Sequence, residues 1–151
     1  MPDYDEDLER GRKFQDYVTK VLLHRGLVIS VYSSREYQYA FGESPQGVEI
    51  KMDSNFLSTG RLSIEVASRH DSTKEWTQSG IYDPKDPWLY IQGYYGKFWL
   101  FSNLHLQRLF ESGVYGKAEP RDDLRVFYLP IEAADKWSIT RPSYWMGGIP
   151  S

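Results

Sequence analysis

Gly47-Val48-Glu49-Ile50-Lys51-Met52-Asp53 and Leu62-Ser63-Ile64-Glu65-Val66-Ala67-Ser68-Arg69 are the two stretches on which the fold turns. Successive side chains of an extended strand point to opposite faces, so Val48, Ile50 and Met52 share one face of the first, and Leu62, Ile64 and Val66 one face of the second. The opposite faces carry Glu49, Lys51 and Asp53, and Glu65 and Arg69. The alternation predicts three carboxylates and a lysine on one side of a small sheet. Converging oxygens of that kind suit a hard divalent cation, and a neighbouring lysine can polarise a water or steady charge developing on a phosphate.

Upstream, Asp3 is placed to cap a helix from about Tyr4 to Arg25, with Leu8, Phe14, Val18, Val21 and Leu22 as its apolar stripe and Gly26 as its stop. Leu27 to Tyr32 reads as a strand, and Glu36 to Phe41 as an irregular strand or an aromatic loop. Gly42 to Gly47 is a break before the first charged strand. Ser54 to Gly60 is long enough for a wide hairpin connection between the charged strands.

Downstream, His70 to Glu75 is a polar linker, and Ser79-Gly80-Ile81 is a turn or strand start. The prolines of Asp83-Pro84-Lys85-Asp86-Pro87 exclude regular structure. Trp88 to Gln92 and Phe98 to Phe101 read as a hairpin and Asn103 to Glu111 as a short helix. Leu124 to Leu129 reads as a last strand, ended by Pro130 before a helical piece through Lys136. From about Arg141 the tail is irregular. This order predicts an α/β (α+β) domain with a mixed sheet of about five strands flanked by helices.

With 151 residues the chain has the size of one domain, taken as 1–151. It contains no apolar run of transmembrane length and no basic, apolar leader, and it lacks cysteine, so a reducing cytoplasm is the expected compartment. A net charge of -3 argues against a nucleic-acid binder driven by bulk electrostatics. The 12 Tyr and 5 Trp read first as core and rim, with base stacking as the second reading.

A leading helix with an acidic residue, then a strand with a carboxylate, then a second strand with Glu resembles the PD-(D/E)XK nuclease superfamily, the fold of type II restriction enzymes and archaeal Holliday-junction resolvases. The matching segments are Glu9 to Phe14, Gly47 to Asp53 and Leu62 to Arg69. The resemblance implies a restriction-endonuclease-like fold and metal-dependent hydrolysis of DNA to a 5′ phosphate and a 3′ hydroxyl, in a phage or mobile-element setting. It implies that magnesium, or manganese in its place, is bound by Glu65 with either Glu49 or Asp53. Lys51 would position or deprotonate the water, and Glu9 would hold a second ion or an outer water. Gln15 would approach the site, and a homodimer would let so small a nuclease cut both strands.

The chain departs from the family at Ala67, where a lysine two residues after the strand Glu is usual. Lys51 is the migrated candidate, and Arg69 and Lys74 are weaker ones, because arginine holds its proton too firmly to serve as a base. The departure equally suits an inactive nuclease fold that binds nucleic acid or a protein partner. Two further readings stand beside these. In one, the charges are a solvated sheet face whose cross-strand pairs contribute about 0.2 to 1 kcal/mol each. In the other, the Tyr- and Trp-rich hairpin from Trp88 to Phe101 is a protein interface built on Tyr94 and Tyr95. His24, His70 and His105 lack metal-ligand spacing, and no nucleophile elbow or phosphate loop is present in the sequence.

Overall fold

The computed structural model describes residues 4–24 and 47–139. The chain runs α1 (Tyr4–His24), β1 (Val48–Met52), α2 (Phe56–Thr59), β2 (Arg61–Ser68), β3 (Thr77–Gln78), a 3-10 turn (Gly80–Tyr82), β4 (Leu89–Tyr94), β5 (Lys97–Ser102), α3 (Asn103–Glu111), β6 (Glu119–Arg121), β7 (Leu124–Pro130) and α4 (Ile131–Trp137). The predicted strand Leu27 to Tyr32, the Glu36 to Phe41 segment, the Gly42 break, the Asp3 cap, the Gly26 stop and the tail from Arg141 lie outside the described residues.

Helix α1 begins with Asp5, Glu6 and Asp7, whose charges favour the positive end of the helix dipole. Its stripe of Phe14, Val18, Val21 and Leu22 is buried against Val48 and Ile50 of β1, Leu89 and Ile91 of β4, and Phe98 and Leu100 of β5. That contact selects the strand partners. β1 pairs parallel to β4 and β4 antiparallel to β5, and together they present one continuous apolar surface to the helix. The hairpin expected between Trp88 and Phe101 is therefore present. The Tyr17 hydroxyl accepts the Gly96 amide at 2.8 Å, and the Tyr95 ring packs on Phe14 and Tyr17, so the hairpin tip is anchored to α1.

The fold is α+β, but a single mixed sheet of about five strands is not what forms. There are two sheets among the described residues, β1-β4-β5 and β3-β2-β7-β6, the second antiparallel throughout. The charged strands β1 and β2 fall in different sheets and do not pair. The reason lies in the segment between them, which is one helical turn and not a wide hairpin. Phe56 of that turn is buried edge-on to Trp99, and Gly60, at φ 72, closes the turn with its amide on the Phe56 carbonyl. The second core then forms between the sheets, from Leu62 and Ile64 of β2, Phe127 and Leu129 of β7, Tyr90, Trp99 and Phe101 of the first sheet, and Leu106 of α3. The short strands β3 and β6 carry little apolar pattern, and Pro120 inside β6 masks it further.

A buried polar junction joins the sheets at the end of β1. Asp53 is only 7% exposed; its Oδ2 accepts the Ser63 amide at 3.0 Å and Gln92 Nε2 at 2.9 Å, and its Oδ1 accepts the Asn55 amide at 3.0 Å. Gln92 Nε2 also donates to the Ser63 carbonyl at 2.8 Å. Removing this carboxylate takes the acceptor from three donors at a largely buried point of the fold. Asp53→Ala is expected to cost roughly 3 kcal/mol or more in urea unfolding at neutral pH. A loss below about 1 kcal/mol would mean that the junction is not structural.

Candidate functional site

The strand phase of β1 fixes which side chains face the second sheet. In the parallel register Glu49 stands beside Tyr90 and Lys51 beside Gln92, so these four lie on the face turned away from α1. From the other sheet, β2 brings Glu65. Lys51 Nζ lies 3.1 Å from Glu49 Oε1 and 3.8 Å from Glu65 Oε1, and the two glutamates are only 17% and 16% exposed. Glu49, Lys51 and Glu65 thus converge, as the alternation predicts, although across two sheets.

Lys51 and Glu65 line a cleft of about 370 Å³. Met52 to Asn55 form another part of its lining, with Ser63 from β2, Tyr90 and Gln92 from β4, and Arg121, Asp122, Leu124 and Val126 from the β6–β7 hairpin. Glu49 does not line the cleft and reaches it only through Lys51. Asp53 lines it, but both its oxygens are taken up by the junction between the sheets, which favours Glu49 over Asp53 as the partner of Glu65. Glu9 and Gln15 do not line it either. Glu9 is 54% exposed on α1, 4.0 Å from Arg12 Nη1.

The environment sets the charge states. Burial works to drive the proton off Lys51, but the negative charge of Glu49, which also accepts its hydrogen bond, and that of Glu65 oppose this, and the lysine pKa is raised well above its ordinary value. Lys51 is therefore a held cation and not a proton acceptor at neutral pH. Burial, the largest effect, raises the pKa of Tyr90 against the opposing pull of Lys51, with Glu49, Glu65 and Asp53 adding to the rise, so the phenol stays neutral. Tyr90 is fully buried, and neither its hydroxyl nor Gln92 Oε1 has a hydrogen-bond partner among the described residues.

The strand geometry of β2 changes the meaning of Ala67. Glu65 pairs with Val126 but Ala67 pairs with Arg125, the neighbouring residue of β7, so Val66 is the extra residue of a β-bulge. Paired residues share a face, and consecutive residues do not, so Ala67 points to the side opposite Glu65. A lysine at 67 would not reach the cleft from this backbone. Period-two counting missed the bulge, and it misplaced Arg69 for the same reason. Arg69 instead binds Asp123 Oδ1 through Nε at 3.2 Å and lies over the Trp76 ring. Lys74 is exposed in the loop that follows.

The bulge is braced from behind by Ser79-Gly80-Ile81. Gly80 sits at φ 60, and a Cβ on it would stand 2.1 Å from the Glu65 carbonyl oxygen. α3 holds this turn in place, because Asn103 Nδ2 and Gln107 Nε2 both donate to the Ile81 carbonyl, at 2.9 and 2.7 Å. Reasoning on the sequence missed Tyr90, Gln92, Ser63 and Arg121 as parts of the site. Tyr90 and Gln92 alternate in phase with Glu49 and Lys51 only once the parallel register is known.

Two half-buried carboxylates sharing one ammonium carry unbalanced negative charge and hard oxygen donors. Magnesium is commonly held by one or two carboxylates, with waters and substrate phosphate completing its shell, so Glu49 and Glu65 fit such an ion without a third protein ligand. No cluster of three or more potential metal-ligating side chains forms among the described residues. Comparison of the chain with protein-family models, with curated proteins and with solved structures gave no match. No described helix is long and apolar enough to cross a membrane.

Gly80→Ala is expected to destabilise the protein by more than about 2 kcal/mol, through the left-handed backbone and the clash with β2. It should also disturb the Glu65 pairing, read as a changed Lys51–Glu65 coupling in a double-mutant cycle. An unchanged melting temperature would remove Gly80 as the brace of the site.

Proposed function

We propose that this chain is a small metal-dependent phosphodiesterase of the PD-(D/E)XK kind, acting on DNA. The observation that carries the reading is the convergence of Glu49 and Glu65, from two sheets, on Lys51, with Lys51 and Glu65 lining one cleft. In support, Glu49 and Lys51 stand two residues apart on β1, which is the glutamate-to-lysine spacing that the resemblance asks for, placed on this strand and not on β2. The bulge at Val66 adds that Ala67 carries no information about activity.

In this reading Glu65 and Glu49 hold a magnesium or manganese ion. When bound, the ion acidifies a water and neutralises phosphate charge. Lys51 keeps its proton and stabilises the negative charge that builds on the phosphorus-bound oxygens as water adds and the 3′ oxygen departs. The Glu49 contact restrains the ammonium, so little reorganisation accompanies the reaction. Asp53 acts through position alone, by setting where β1 ends relative to Ser63 and Gln92.

The reading is tested by incubating supercoiled, linear duplex and single-stranded DNA with magnesium or manganese. Cleavage is expected, and it should vanish with a chelator and with Glu65→Gln. Lys51→Ala should retain metal binding in calorimetry and lose roughly 10²- to 10³-fold in kcat, the scale of a single charge-stabilising donor. Arginine cannot give up its proton, so Lys51→Arg separates the roles of the side chain. Partial activity is expected, whereas complete loss together with a rate that follows deprotonation of the lysine would overturn the charge-stabilising role. Absence of cleavage on all three substrates under both metals would overturn the nuclease reading itself.

A further inference from the structure

Arg121 is the cleft's second cation and stands apart from the carboxylate and lysine cluster. It ends β6, the short edge strand of the second sheet, at a two-residue turn in which Asp122 adopts φ 53. Its Nη1 donates to Ser63 Oγ at 2.5 Å, and no carboxylate among the described residues forms an ion pair with it. Ser63 is the residue whose amide and carbonyl already join the Asp53–Gln92 junction, so the guanidinium is tied to that junction. A guanidinium carries five N–H donors in a fixed fork, and one bond to Ser63 leaves the others for a ligand. The arginines nearby are committed elsewhere. Arg69 is paired with Asp123, and Arg125 lies over the Trp76 ring.

A second, independent feature points into the same cleft. Tyr90 lines the cleft, and its hydroxyl is fully buried with no hydrogen-bond partner among the described residues. An unpaired buried hydroxyl lowers stability, and such groups persist where a ligand or an ordered water completes them. It is a neutral phenol and hence a donor, as is the arginine fork. A guanidinium with N–H groups left over from its bond to Ser63 and a phenol without a partner among the described residues, in one cleft, suit a ligand oxygen that accepts from both, which is what a phosphodiester presents.

We propose that Arg121, steadied by Ser63, binds the non-bridging phosphate oxygens of the nucleic-acid strand, with the Tyr90 hydroxyl donating a further hydrogen bond to the same phosphate. This assignment rests on the phosphodiesterase reading for the identity of the strand, and on the cleft alone for the anion subsite. Glu65 and Asp53 in the same lining repel a phosphate, so binding is expected to need the divalent ion.

Two measurements separate the subsite from the reaction. In cleavage assays with magnesium, Arg121→Ala should raise KM about 10- to 100-fold with kcat little changed, as loss of a charge-assisted fork predicts. Arg121→Lys should recover part of that loss. Tyr90→Phe should weaken kcat/KM while leaving the melting temperature unchanged or higher, because the hydroxyl it removes has no partner among the described residues. In thermal melts, inorganic phosphate with magnesium should stabilise the wild type, and the shift should shrink in Arg121→Ala and in Tyr90→Phe. A phosphate shift without cleavage of any DNA would leave the subsite standing and sink only the phosphodiesterase. Unchanged KM and unchanged phosphate shift in Arg121→Ala, or full activity together with a full phosphate shift in Tyr90→Phe, would overturn the subsite.

Discussion

The Asp53 carboxylate is the constraint on which the site depends. β1 and β2 share no backbone ladder, so no hydrogen-bond register sets the separation between Lys51 and Glu65. The carboxylate at the end of β1 does so by gathering an amide from the α2 connection, an amide from β2 and a side-chain amide from β4. A buried charge is tolerable only when its lone pairs are filled, and filling them at this point forces the two sheets together at one place. The segment from Glu49 to Asp53 thus carries both the side chains that suit chemistry and the one that fixes their position.

A second brace acts on the other carboxylate. Asn103 and Gln107 of α3 hold the Ile81 carbonyl, and the turn they hold presses Gly80 onto the backbone of Glu65. Contact at that distance is open only to a residue without Cβ, so glycine there is a packing requirement as well as a conformational one. The β-bulge follows at once, and it redirects the remainder of β2 toward Trp76 and the β6–β7 turn. Glu65 is the last residue of β2 to line the cleft. Its carboxylate is held by backbone packing, whereas the Lys51 ammonium is held by charge.

Much of this organisation was legible in the residues themselves. The stripe of Phe14, Val18, Val21 and Leu22 marks α1, and the alternation of Val48 and Ile50 with Glu49 and Lys51 gives the correct faces for β1. Gly96, in the Tyr95-Gly96 turn between β4 and β5, marks the hairpin. Those signals are local, and local periodicity reports them. Partner choice is not local. A parallel β1–β4 pair, 41 residues apart at Val48 and Leu89, leaves no turn signature between its strands, and so the charged strands read as neighbours when they are not. The bulge at Val66 escaped for a related reason, because one extra residue changes the face of everything after it while leaving the pattern of residue types intact. Asp53 illustrates the remaining gap. In sequence it is one more carboxylate in phase with Glu49, and only its three donors separate a structural anion from a functional one.

Charge balance decides what kind of chemistry the cleft suits. A lysine serving as a base needs surroundings that depress its pKa, such as an apolar pocket or a second cation. Lys51 has two carboxylates against it, and their pull exceeds the opposing effect of burial. A cation so held is poor at taking protons and well placed to offset negative charge. The same two carboxylates are more than one ammonium neutralises, and burial makes that imbalance costly. In the proposed function a divalent ion at Glu49 and Glu65 would relieve the imbalance while the ammonium, still restrained by Glu49, faces an anion. Lysine and metal would then share one carboxylate pair, and the substrate phosphate would meet both.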